Sequence, residues 1–279
     1  MRTDRQIEST MKDPPLVEME DFKKWILYED ENLLALNKPG WLVCHPSKNG
    51  PFSSLVGVAK VYLGIESVHL VSRLDRETSG VVLLAKNRKA ASHWQKGVEL
   101  KIVRRNYLAI LEGNLNESRN VTTFLGKDPD SSVYVKQRVT EKSRKSKYAE
   151  TDFLPLINQD GYTLCSITTS TGRKHQIRAH AQWVGFPLVG EKLYGKDEKI
   201  YLNFCTSGWR EEWKGLLGMH RQALHGRCLL DIESVTEFLS PLPEDFSDFL
   251  TVSMKLKAGE IEKIVNQADE EFRNSLLAN

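Results

Sequence analysis

The sequence predicts an α+β fold, with a central mixed or antiparallel β-sheet flanked by helices and loops. Three observations lead there. Short apolar runs bounded by Gly, Pro, Asn and Asp recur along the chain and read as strands. A few segments have helical spacing instead, at 55–63, 88–101 and 174–184. Strand and helix do not alternate regularly, which argues against a doubly wound parallel sheet.

Taken in order, residues 1 to about 22 carry little periodic apolar pattern and are expected to form a flexible arm. Strands are expected over 25–28 and 33–36, around a polar turn. Pro39 and Gly40 break the chain, and 41–45 is expected to resume as a strand. Ser54 is placed to cap a helix over 55–63 that ends at Gly64. Strands follow at 68–71 and 81–85. The helix over 88–101 has Ala91, Trp94 and Val98 on one face. Further strands are expected at 106–111, near 148–157, at 162–169 and at 223–232, with a short helix after Pro243. Residues 253–279 are highly charged, with helical apolar spacing at Ile261, Ile264, Ala268 and Phe272, and read as a helical tail packed on the surface or partly frayed.

Composition bounds the function more than it identifies it. The chain has 279 residues, which suits one large domain or one domain with appendages. No apolar run approaches the ~20 residues of a membrane helix, and the N-terminus has no apolar stretch like a signal peptide. A cytoplasmic protein is expected. The four cysteines lie far apart with no zinc or redox spacing, so they are expected to be reduced. A net charge of +2 is too small to argue for nucleic acid by itself.

Two segments carry candidate chemistry. The first is Arg73 to Gly80, where Asp75 sits in a loop between strands, followed by Thr78, Ser79 and Gly80. Sites are commonly built on such loops, although these residue types also make an ordinary turn. The second runs from Thr171 to His180. As a helix it would put His175, Arg178 and Gln182 on one face, with a cation able to reach a carboxylate on a neighbouring loop. His175 and His180 are five apart, which a helix turns away from each other, so no metal site is expected.

Together the two segments resemble the RluA-type pseudouridine synthase family. Ser72 to Gly80 is similar to its HRLDxxTSG loop, with Ser72 in place of the usual histidine. Residues 29–40 look like its opening hairpin and Lys-Pro turn. Residues 171–195 resemble its TGRxHQIRxH…GxPxxGDxxYG stretch, with Glu191 where the family generally has Asp. Residues 221–225 look like its late Leu-His strand, although Gly226 follows where Ala is common. The resemblance covers about 25–250. It implies the pseudouridine synthase fold, with a catalytic domain over 23–252 and no separate RNA-binding domain ahead of it.

The resemblance also implies a reaction and roles. Pseudouridine formation breaks the bond from ribose to nitrogen 1 of uracil and rejoins ribose to carbon 5. It is an isomerisation, so no cofactor and no metal are expected. Asp75 matches the catalytic aspartate, acting as nucleophile or base. Arg178 matches the arginine paired with it, and Tyr107 the tyrosine that stacks on uracil. Arg73 matches the arginine that fills the space left by a flipped-out base. Arg173, His175 and Gln176 are expected to support the site or the RNA. Lys38 and the basic stretch of Lys136, Arg138, Lys142, Arg144, Lys145 and Lys147 are candidates for phosphate contacts, the stretch reading equally well as a solvated loop. The partner is expected to be tRNA or rRNA and the protein a monomer. Two other readings stay open at this point: a nucleoside hydrolase, which would need paired carboxylates, and an RNA-binding module without catalysis.

Overall fold

The computed structural model describes residues 16–45 and 49–277. In chain order the elements begin with α1 (Met19–Lys24), β1 (Ile26–Glu29), β2 (Leu33–Lys38), α2 (Leu55–Leu63), β3 (His69–Leu70), β4 (Ser79–Ala85) and α3 (Arg88–Glu99). Then come β5 (Val103–Glu112), β6 (Arg119–Lys127), β7 (Gln137–Thr140), β8 (Lys147–Gln159), β9 (Tyr162–Thr169) and α4 (Gln176–Trp183). The rest are α5 (Lys199–Ser207), α6 (Lys214–Leu217), β10 (Leu224–Asp231), β11 (Thr236–Leu239), α7 (Glu244–Val252) and α8 (Ala258–Leu277). The chain divides into two compact units.

Unit 1 holds the chain up to Arg105, with Ser207–Trp209 and His225–Pro241. Its strands lie in the order β1-β2-β4-β10, with β3 on β4 and β11 on β10. The β4–β10 pair is parallel and the others are antiparallel. Alternation along β2 and β4 sends Leu34, Leu36, Val82 and Leu84 to one core with α2 and Phe22 of α1. Leu33, Ala35, Val81, Leu83 and Ala85 face a second core with Ala91 and Trp94 of α3. Covering on both faces explains why β4 reads as a continuous apolar run.

The local signals at α2 act as the sequence indicates. The Ser54 side chain accepts from the amide of Gly57, and Gly64 ends the helix in the left-handed region. The expected strand at 41–45 does not form. The carbonyls of Val43 and Cys44 instead accept from the first amides of α2, Leu55 and Val56, which a helix N-terminus leaves unsatisfied. The expected arm also needs correction at its end: Val17 and Phe22 are buried in the unit 1 core. Residues 1–15 lie outside the described residues.

Unit 2 holds Asn106–Thr206, Arg210–Leu224 and Leu242 onward. Its strands run in the order β5-β9-β8-β6-β7, all antiparallel. One sheet face meets α4, through Leu125 and Ala149 against Ala179. The other packs Leu108, Ile110 and Leu164 against α7 and α8. Ile261, Val265, Ala268 and Phe272 of α8 are all buried, so this charged helix is part of the unit 2 core and not a frayed tail. Each large apolar side chain so buried contributes roughly 1.5–3 kcal/mol, far more than surface charge pairs.

Two glycines of unit 1 carry opposite demands. Gly80 has φ +116°, and a Cβ there would sit 2.2 Å from the backbone oxygen of Gly226. A Cβ on Gly226 would meet the Leu74 side chain at 3.5 Å and Val81 N at 3.6 Å, both ordinary contacts. We therefore predict that Gly80→Ala destabilises the protein by about 4 kcal/mol or more. Gly226→Ala should be neutral or stabilising by about 0.4–1 kcal/mol. Urea denaturation of both variants checks this; equal losses would show that the close approach of β4 and β10 is misread.

Candidate active site

In unit 1 the loop carrying Asp75 is gripped from inside. Lys38 ends β2 opposite Gly80 of β4 and is fully buried. Its ammonium donates to the carbonyls of Pro39 at 2.7 Å, Leu42 at 2.9 Å and Arg76 at 3.0 Å. A buried charge costs free energy unless it is hydrogen-bonded, and charge-assisted bonds to carbonyls meet that need. The surface role expected for Lys38 is thus corrected: it fixes the loop backbone immediately after Asp75. Arg76 Nε donates to Trp41 O at 3.1 Å, and the Thr78 amide donates to Asp75 O at 3.1 Å. Below the loop, Ser79 Oγ and His225 Nδ1 are hydrogen-bonded at 2.9 Å. Asp75 itself is half-buried, and Arg73 is exposed.

In unit 2 the second predicted segment folds differently from the simple helix expected. The helix starts at Gln176, and His175 precedes it with φ +54°. His175, Arg178 and Gln182 therefore do not share a face: Arg178 is buried and Gln182 exposed. Gln176 is also buried. Its Oε1 accepts from Thr171 Oγ1 and the Arg173 amide, and its Nε2 donates to Glu150 O and Thr151 Oγ1. It locks the turn to β8, so the contact with RNA expected of Gln176 is corrected to a structural role. Arg173 is exposed, with Nε donating to Tyr148 O at 2.8 Å.

Arg178 is held by a carboxylate. Its Nε donates to Glu191 Oε2 at 2.8 Å and its NH2 group to Oε1 at 2.6 Å. Glu191 Oε1 also accepts the amides of Leu193 and Tyr194. Burial pushes the Glu191 carboxyl up, but the Arg178 charge, its hydrogen bond and the two amides outweigh this and hold it below its ordinary value. The Tyr194 ring lies under the guanidinium, 5.1 Å from centre to Cζ. Its hydroxyl accepts the Gln137 amide at 2.8 Å and shares a 2.9 Å bond with His175 Nδ1. The site thus has a buried, oriented cation anchored by Glu191 and Tyr194, two residues to which the sequence reading gave no role. The signal for them was the tight turn ahead: Gly190 has φ +76°, and a Cβ there would collide with Arg221 O.

Tyr107 lies in β5, nearly buried, on the sheet face that α4 covers; it is paired across the ladder with Ile167, which is paired in turn with Phe153. The basic stretch splits in two. Lys136 bonds Glu198 at 2.9 Å, and Arg138 pairs with Asp128 and Asp130. Lys136, with the hydroxyls of Ser131 and Ser132, pulls Glu198 down to about 2. Lys142, Arg144, Lys145 and Lys147 are exposed.

A family model described as RNA pseudouridylate synthase matches residues 32–183, which include Lys38, Arg73, Asp75, Tyr107 and Arg178. The chain belongs to this family. An uncharacterized RNA pseudouridine synthase of Mycoplasma pneumoniae is 38% identical over 66% of this chain, but the match spans only 59% of that relative's length. The ribosomal large subunit pseudouridine synthase D of Xylella fastidiosa is 30% identical over 81% of this chain and 68% of its own. Among solved structures, human RNA Pseudouridylate Synthase Domain Containing 4 superposes with a TM-score of 0.68, covering 86% of this chain and 96% of that one at 24% identity, and so shares the fold.

The segment 171–180 also carries a buried histidine that makes the fold sensitive to acid. His180 of α4 is fully buried between Thr123 Oγ1 and Thr151 Oγ1, each at 2.9 Å. Burial lowers its pKa from 6.5 to about 4. Between those values the unfolded chain binds the proton and the folded one does not, so stability falls as pH falls. We predict a loss of about 3 kcal/mol across this window, near 1.4 kcal/mol per pH unit. His180→Gln should flatten the decline between pH 6.5 and 5 in urea titrations. An unchanged slope would assign the acid sensitivity to other groups.

Proposed function

We propose that this protein isomerises specific uridines in structured RNA to pseudouridine, with Asp75 as the residue that acts on the ribose or base. The observation that carries this reading is the Asp75 loop: a half-exposed carboxylate on a backbone clamped by the buried Lys38 ammonium. Such rigidity serves a group that must meet a flipped-out nucleotide in one geometry. Arg178 is the cation of this reading, and its orientation is set by Glu191. In this reading Tyr107 stacks on uracil and takes the proton from carbon 5. The exposed Arg73 fills the space that the base vacates, where a planar guanidinium both stacks and hydrogen-bonds. Atoms balance without a co-reactant: the bond from ribose to nitrogen 1 breaks, the bond to carbon 5 forms, carbon 5 loses a proton and nitrogen 1 gains one.

The exposed Lys142, Arg144, Lys145 and Lys147 serve phosphate contacts in this reading. Large-subunit ribosomal RNA is the first substrate to assay, since a relative is named for it, and transfer RNA the second. The protein acts as a monomer in the cytoplasm.

Asp75→Asn keeps the side chain's size and removes its charge. The variant should remain folded by thermal melting, bind RNA about as tightly as the parent and form essentially no pseudouridine. A folded variant that converts uridine at the parental rate contradicts the assignment, and release of free uracil by the parent would favour hydrolysis.

A further inference from the structure

We propose that the outward face of α3 in unit 1 is a second RNA-docking surface, which grips the substrate's phosphate backbone at a distance from the reacting uridine. The inference rests on the RNA substrate proposed above. Helix α3 turns Ala91, Trp94 and Gly97 inward. Its exposed residues are Arg88, Lys89, Ser92, His93, Gln95, Lys96 and Glu99. Only one of these is acidic. Among the described residues, Arg88, Lys89 and Lys96 form no ion pair, whereas Lys86 just ahead is bound to Glu29 at 2.7 Å.

Lys96 lies in the last turn, where the helix dipole favours a cation, but helix stability does not account for Arg88 and Lys89. Arg88 and Lys89 occupy the first turn, which contains no acidic residue. The positive end of the helix dipole disfavours cations there. A sequence that breaks a local rule without structural gain points to function. The chemistry of the face selects the partner. It offers cations and hydrogen-bonding groups, and no apolar side chain from Arg88 to Glu99 is exposed. It therefore lacks the buried anchors of a protein interface and the apolar side of a membrane-surface helix. A phosphate backbone needs neither.

The helix is also placed for it. Gln95 Nε2 donates to Leu70 O at 2.7 Å, so the later half of α3 lies beside β3. Leu70 is five residues ahead of Asp75 on the same chain. Six to seven residues of helix, about 10 Å at its rise per residue, separate Lys89 and Arg88 from that junction.

The test replaces three cations at once in the full-length protein, Arg88→Gln, Lys89→Gln and Lys96→Gln. Removing Arg88 and Lys89 from the first turn offsets the loss of Lys96 from the last, so the helix is retained, which circular dichroism verifies. Binding to a large-subunit ribosomal RNA fragment is measured against salt, and pseudouridine formation on a short uridine oligomer is measured in parallel. We expect about a tenfold or greater loss of affinity for the fragment at low salt, and a salt slope lower by about 2–3. The rate on the oligomer should be unchanged. An unchanged affinity and slope overturns the proposal. Binding is read without turnover, so the two readings fail separately. A parent that binds through α3 yet forms no pseudouridine sinks the enzymatic assignment alone.

Discussion

The bidentate pair between Arg178 and Glu191 is the interaction on which the candidate site depends. Both groups are almost fully removed from water, and neither charge could be left there alone without a large desolvation cost. The fork of two hydrogen bonds fixes the plane of the guanidinium, and the amides of Leu193 and Tyr194 fix the carboxylate. Arg178 is thereby a stationary charge and not a mobile side chain. Tyr194 extends the same constraint, since its ring lies under the guanidinium and its hydroxyl ties β7 to His175.

Unit 1 follows the same logic with different groups. A buried lysine holds three carbonyls around the loop of Asp75, and the close approach of Gly80 to Gly226 sets the strand that the loop enters. In each unit a charged group that sequence habits assign to the surface is used inside as a fastener. Arg73 in unit 1 and Arg173 in unit 2 stay exposed.

The parts of the fold that were legible had strong local signals. The helix capped by Ser54 and closed by Gly64, and the apolar run of β4, needed only nearest neighbours to be read. Strands β6, β7 and β11 and helix α1 were missed because they are short or weakly alternating, and tertiary pairing supplies what their sequence lacks. Arg178 was legible through its motif. Its partner was not, because Glu191 lies thirteen residues on and reaches back only through the turn at Gly190. Lys38 was misread because a lysine followed by Pro and Gly looks exposed, and nothing local reveals the carbonyls that surround it. The uncompensated cations of α3 emerged only once the ion pairs elsewhere on the chain could be set beside them.

Glu191 and Arg178 act as one buried unit. A double-mutant cycle on stability tests it most directly, using Arg178→Met, Glu191→Gln and the double variant in urea denaturation. Each single change should cost about 3–5 kcal/mol, because it strands the other group. The double variant should cost far less than the sum, leaving a coupling of roughly 2–3 kcal/mol. Additive losses would contradict the account, showing that the two residues are buried side by side without depending on each other.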